Sequence, residues 1–219
     1  MDEQKQITRN GLEVRNFPLE LRVLPGADGP LKIVGYVARY NSFSEDLGGF
    51  REIIMPGAFT ESLKKNDMRS FFNHNPDYVI GRQSAGTASF REDQIGLFME
   101  AIPPDTQWAR DLLKSIERGD ISGQSFAFRL LDPEKDQKWE DKKGVMTRTL
   151  LKIDVREAGP VSMPAYTATD VSVALRSMDE FRKGQTPEPD GSEARGDSPE
   201  PTLRLDDLER DLDLTVRTF

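Results

Sequence analysis

The chain contains no cysteine and a single histidine among its 219 residues. Without cysteine there is no disulfide, no thiolate nucleophile and no Cys-ligated metal site. One histidine leaves too few ligands for an ordinary zinc site, and no Asp-rich loop has the spacing of a calcium cradle, so no cofactor is expected. No apolar run approaches the roughly 18 residues that a membrane span needs. The polar opening Met1-Asp2-Glu3-Gln4-Lys5 lacks the apolar centre of a secretory signal. A soluble, intracellular protein without a membrane partner is therefore expected. Positive charge is also in short supply, with 30 Lys and Arg against 38 Asp and Glu and a formal net charge of −8. Phosphate backbones are held by clustered Lys and Arg, so this balance argues against a nucleic-acid partner.

What is present is unevenly distributed. Residues 177–219 hold 12 acidic and 6 basic side chains, and so carry most of the net negative charge. Within them, 177–202 is rich in Pro, Gly and Ser, and from Lys183 to Pro201 it is almost free of apolar residues. Such a stretch buries too little surface to offset the entropy of ordering, and it reads as a disordered acidic linker. In 203–219, Leu203, Leu205, Leu208, Leu212 and Leu214 stand among acidic residues, partly at helical spacing, and suggest a short tail with some helix. Residues 1–176 form the body, and the 36% hydrophobic content of the chain is enough for one compact core.

Inside the body, residues 12–17, 19–23 and 31–40 alternate or concentrate β-branched and aromatic side chains, and are expected to be strands. Pro56-Gly57-Ala58-Phe59 leads into a helix at 60–65. A second helix begins after Asp105 or Thr106, which suit an N-cap. It carries Trp108, Leu112, Leu113 and Ile116 on one face, and ends at Gly119, suited to a left-handed closing position. Phe126, Phe128 and Leu130 alternate along another strand. Residues 133–144 are polar and read as a loop, 145–155 as a strand, and 171–175 as the strand that closes the body. The balance is mainly β with surrounding helices, an α+β class. The pattern alone does not separate a barrel from a sandwich.

Chemistry can be carried by few residues. His74 is the only side chain with an unperturbed pKa near neutrality, hence the natural general base. Asn75-Pro76-Asp77 predicts a turn directly after it. Ser125 opens a hydrophobic strand just after Ser122-Gly123, where a glycine permits close backbone approach, and it suits a rigidly held nucleophile. The surrounding Gln124-Ser125-Phe126-Ala127 is not the Gly-x-Ser-x-Gly elbow of α/β-hydrolases. A carboxylate is needed to hold the imidazole, and both Glu157 and Asp154 qualify.

These segments resemble a known family when taken together. Gly35-Tyr36-Val37-Ala38-Arg39-Tyr40-Asn41-Ser42 and Gly49-Phe50-Arg51-Glu52-Ile53-Ile54-Met55-Pro56-Gly57-Ala58-Phe59 are similar to the opening of the tailed-phage prohead proteases. Phe72-Asn73-His74-Asn75, followed by Ile80-Gly81-Arg82, resembles that family's histidine segment. Arg118-Gly119-Asp120-Ile121-Ser122-Gly123-Gln124-Ser125-Phe126-Ala127-Phe128 resembles its serine segment. Glu157-Ala158-Gly159-Pro160-Val161-Ser162-Met163-Pro164-Ala165-Tyr166 resembles its closing motif. The resemblance covers roughly residues 12–176. It implies a mostly antiparallel β-barrel of the herpesvirus-assemblin type surrounded by helices, with Ser125 as nucleophile, His74 as base and Glu157 as third member. It implies a serine endopeptidase, free of cofactors, acting inside the assembling head in the host cytoplasm. Its expected partner is the major capsid protein precursor or its scaffold segment, with self-cleavage as a further activity and a homo-oligomer compatible with both. The contrasting expectation is a head assembly protein that keeps this fold without turnover.

Overall fold

The protein is described from a computed structural model covering residues 12–17, 21–26, 29–163 and 172–185. The first half of the chain carries β1 (Glu13–Phe17), β2 (Leu21–Leu24), β3 (Lys32–Arg39), β4 (Phe50–Ile54), α1 (Thr60–Lys65), β5 (Arg69–Phe72), β6 (Asn75–Arg82), β7 (Ala88–Glu92) and β8 (Gly96–Ala101). There follow α2 (Gln107–Glu117), β9 (Gly123–Arg129), α3 (Pro133–Asp136), β10 (Gln137–Lys142), β11 (Val145–Leu150), β12 (Asp154–Val161) and α4 (Ser172–Gln185).

The strands form three sheets, ordered β1-β9-β12-β5-β6, β2-β3-β8-β7 and β10-β11-β4. Most neighbours are antiparallel, but β12 pairs with β5 and β11 with β4 in parallel. The expected closed, mostly antiparallel barrel is therefore not found among the described residues. Among the described residues the sheets are open, two of the three mix parallel and antiparallel pairs, and the architecture is mainly β with a few helices. The main core lies between the first two sheets and α2. There Phe126 and Phe128 of β9 share one buried cluster with Phe59, Ile33, Val37, Met99 and Leu112.

Three local expectations are corrected. Residues 133–144 are not a loop: α3 is followed by β10, which pairs with β11 across a two-residue turn at Lys143-Gly144, both with positive φ (55° and 86°). Here only Gln137 and Trp139 turn inward, so the strand's charged outer face hides its period of two. Residues 145–155 are two strands, β11 and the start of β12, separated at 151–153. Residues 172–175 open α4 rather than forming a closing strand. Ala174, Met178 and Phe181 then recur at helical spacing against Phe50, Trp139 and Met146. Trp139 Nε1 and Gln137 Nε2 both donate to Ser177 Oγ, at 3.0 and 2.7 Å. The helix continues past Arg176 to Gln185. The rest of the expected linker, and the tail 203–219, lie outside the described residues.

One polar cluster sits in the interior. Glu13 and Arg15 on β1, Glu52 on β4 and Arg148 on β11 are each at most 3% exposed. Arg15 donates to Glu52 Oε1 at 2.8 Å and to Glu13 Oε2 at 2.7 Å. Arg148 donates to both oxygens of Glu13, to Glu52 Oε2 and to Gln137 Oε1, at 2.6–2.9 Å. Burial pushes the Glu13 carboxyl up, but hydrogen bonds and charge from Arg148 and Arg15 outweigh it and hold the pKa below its ordinary value. Burial likewise opposes the charge of Arg15, and Glu52 and Glu13 more than compensate. Two cations and two anions thus bind the sheet of β1 to the sheet of β4 and β11.

Candidate active site

Ser125 lies in β9, between β1 and β12, with Asn16 on one side and Gly159 on the other. Side chains alternate along a strand. Phe126 and Phe128 enter the core, with Phe126 stacked 6.0 Å from Phe17 and edge-on to Phe59 at 5.7 Å. Ser125 and Ala127 consequently take the opposite face. Ser125 is nonetheless 0% exposed.

Glu157 reaches that same face through a bulge. The pairing of β12 with β9 shifts between Val155, opposite Phe128, and Glu157, opposite Ala127. In an unbroken strand Glu157 would follow the buried Val155 into the core. One extra residue, Arg156, turns it instead to the side of Ser125.

His74 is carried by the β5–β6 hairpin. Phe72 pairs with Asn75, so Asn73 and His74 are themselves the two-residue turn. Their φ values are 52° and 57°. Two left-handed residues in succession match the twist of a tight hairpin, and asparagine tolerates this conformation well. The sequence placed the turn after His74; the structure places it at His74, and residues 75–82 continue as a strand. β5 approaches β12 closely because Gly159 has no side chain: a Cβ there would stand 2.0 Å from the carbonyl oxygen of Phe71. Asn73 fastens the turn. Its N–H donates to Pro160 O at 3.0 Å, and its Oδ1 accepts from Ser162 N–H at 2.9 Å and Ser162 Oγ–H at 3.2 Å.

Three side chains from three strand segments meet as a result. His74 Nε2 is 2.6 Å from Ser125 Oγ, a residue 51 positions away. His74 Nδ1 is hydrogen-bonded to Glu157 Oε1. An ionised carboxylate only accepts, so Nδ1 carries the hydrogen and Nε2 offers its lone pair to the serine hydroxyl. The imidazole and the Glu157 side chain are 12% and 11% exposed. Glu157 Oε2 is buried without a hydrogen-bond partner among the described residues. Ser125 Oγ has a second acceptor, the carbonyl oxygen of Arg15 at 3.0 Å. A hydroxyl has one hydrogen, so the imidazole and the β1 backbone compete for it.

Of the two candidate carboxylates, only Glu157 bonds to the ring. Asp154 is taken up elsewhere: it accepts from Asn66 Nδ2 at 2.7 Å, Arg129 Nε at 2.9 Å and Arg156 Nη2 at 2.6 Å. Burial raises its pKa, but those partners prevail and the net shift is downward. Asn73, the Arg15 carbonyl and the bulge at Arg156 were not singled out from sequence. Only the first had a local signal, an asparagine between the aromatic Phe71-Phe72 and the following strand. Among the described residues, no group of three His, Asp or Glu side chains is arranged to hold a metal ion.

No curated protein matches the sequence. Among solved structures, the chain is similar to the capsid assembly protease of bacteriophage T4. The identity is 9%, the TM-score 0.44, and the alignment covers 68% of this chain and 96% of that one. The sequence itself matches the family described as caudovirus prohead serine protease over residues 18–184, most of its length. The chain belongs to the caudovirus prohead serine protease family.

Proposed function

We propose that the chain is a serine endopeptidase in which Ser125 attacks the scissile carbonyl, His74 takes and returns the proton, and Glu157 holds the imidazole. The observation that carries this reading is the contact of Ser125 Oγ with His74 Nε2 at 2.6 Å while Glu157 engages the other ring nitrogen. As Oγ bonds to the carbonyl carbon, its proton passes to Nε2, and the imidazolium is stabilised by the Glu157 carboxylate. Backbone N–H groups receive the charge on the carbonyl oxygen. Collapse of the tetrahedral intermediate breaks the C–N bond, and His74 protonates the departing amine. Water then attacks the acyl carbon while giving a proton to His74, and as the C–Oγ bond breaks His74 passes that proton to Oγ, releasing the carboxylic acid and restoring Ser125.

Family membership supports a role in capsid maturation. The substrate we propose is the capsid protein precursor or its scaffold segment, cut inside the assembling head, together with this chain's own segment 183–201. The sequence of that segment is poor in apolar residues and rich in Pro, Gly and charge, a composition that suits proteolytic nicking. Co-expression with the capsid precursor tests the reading. Trimming of the precursor, seen by mass spectrometry, is expected with the natural chain and is lost with Ser125→Ala. Trimming at an undiminished rate by that variant overturns the proposal.

The complete burial of Ser125 favours a second reading, a head assembly protein that keeps the fold without turnover. A serine-directed phosphonylating reagent separates the two. Labelling at Ser125 belongs to the protease, and its absence under conditions where the precursor is not cut belongs to the assembly protein.

A further inference from the structure

A base carried on a two-residue turn is only as well placed as the turn itself. The hairpin at Asn73-His74 has both residues at positive φ, a conformation that costs any side chain other than glycine and costs asparagine least. Nothing in that local geometry fixes where the turn lies relative to β12, the strand that bears Glu157. The parallel pairing of β5 with β12 is confined to one register position, Arg69 with Glu157. Beyond it, β5 is irregular against β6, with shifts on both sides of Phe71. Besides the His74–Glu157 bond itself, the end of the hairpin is tied to β12 by Asn73. Its main-chain N–H reaches Pro160 O, and its side-chain oxygen accepts two hydrogens from Ser162, one from the amide and one from the hydroxyl. These acceptors and donors lie three and five residues beyond Glu157, the first near the end of β12 and the second just past it, so one residue joins the turn of the base to the strand of its carboxylate.

We propose that Asn73 is a positioning residue of the proteolytic site, holding the His74 imidazole between Glu157 and Ser125 by clamping the β5–β6 turn to the end of β12. The inference rests on the Ser125–His74–Glu157 reading above. It assigns Asn73 no contact with substrate. Its effect belongs in kcat rather than KM, because a displaced base slows proton transfer without removing a binding contact, and displacements near 1 Å cost on the order of 10²-fold in rate.

The chain's single histidine makes the test specific, since every imidazole signal in the spectrum comes from His74. Asn73→Gly keeps the left-handed backbone and removes the side-chain acceptor. Asn73→Asp keeps both. In full-length protein, Asn73→Gly is expected to lower kcat by about tenfold or more with KM within about twofold. It is also expected to broaden or erase the downfield Nδ1–H proton of His74, while Asn73→Asp restores both. A kcat within about twofold of the natural chain and an intact Nδ1–H signal in Asn73→Gly overturn the proposal. If Asn73→Gly does not fold, hydrogen exchange of the natural chain decides. The Ser162 amide, on an exposed residue, is expected to be protected by its bond to Asn73, and exchange at the unprotected rate overturns the clamp. Ser125→Ala is run alongside. Continued cleavage by that variant defeats the catalytic reading, while the His74 proton and the Ser162 amide still report on the clamp.

Discussion

Strands β1 and β9 have a buried polar cluster on each side. Toward the β10-β11-β4 sheet lie Glu13, Arg15, Glu52 and Arg148, two acids and two bases whose hydrogen bonds interlock. On the other face of β9 lie Ser125, His74 and Glu157. Both clusters are assembled from residues distant in the chain, and both are largely buried. They differ in saturation. In the four-charge cluster each carboxylate is met by two guanidinium groups, and the charges cancel. In the other, Glu157 Oε2 has no partner among the described residues, one hydroxyl hydrogen faces two acceptors, and the imidazole has a lone pair to give. A satisfied buried network specifies packing. An unsatisfied one keeps capacity for a proton and a new bond, which is what acyl transfer requires.

Substitutions that treat the two faces differently sharpen that contrast. Ser125→Ala is expected to have the largest effect, a loss of about 10⁴–10⁶ in kcat/KM measured on the capsid precursor, with the thermal midpoint nearly unchanged. Glu157→Gln should cost about 10³–10⁴ in kcat, because the amide no longer favours the Nδ1–H tautomer or the imidazolium; a loss below about tenfold would remove Glu157 from the mechanism. On the other face, Arg148→Met leaves Glu13 and Glu52 with one cation between them. Urea unfolding should show about 3–5 kcal/mol less stability, with kcat per folded molecule preserved. Large stability losses in Ser125→Ala, or a large kcat loss in folded Arg148→Met, would break the comparison.

The smallest effect is on acid stability. Glu13 and Asp154 have folded pKa values depressed below their ordinary 4.5 and 3.8. Below those ordinary values the unfolded chain binds more protons than the folded one, so their stabilisation is complete above about pH 5 and is lost as pH falls through the folded values. The urea midpoint should decline in that direction. In Asp154→Asn the decline should be shallower, since one of the two depressed groups is gone.

Much of the candidate site was legible in the sequence. His74 stood out as the chain's one histidine, whereas Ser125 is one of 14 serines and was picked out by the resemblance of residues 118–128 to the serine segment of the prohead proteases. The helix at 60–65 followed from the Pro56-Gly57 lead-in, and α2 from the apolar spacing of Trp108, Leu112, Leu113 and Ile116 and from Gly119, which does adopt a left-handed φ of 82°. Local pattern failed where neighbours decide. Residues 172–175 look like a strand in a five-residue window, and become a helix because Phe50, Trp139 and Met146 offer a surface that Ala174 and Met178 can cover. The charged stretch 137–142 becomes a strand because β11 supplies its hydrogen bonds. Closure of a barrel depends on which edges meet, and no residue pattern encodes that here.

The sequence by itself determined the kind of chemistry available, by excluding thiols and ordinary zinc sites and leaving one imidazole base, and it determined the core faces of most strands and of α2. Only the tertiary structure decided between Glu157 and Asp154. The two are three residues apart and both can accept the imidazole hydrogen. A single bulge at Arg156 turns one of them toward His74, and Asn66, Arg129 and Arg156 occupy the other. Side-chain type is written in the chain, but direction depends on register, and register is set by strands that meet only when the molecule is folded.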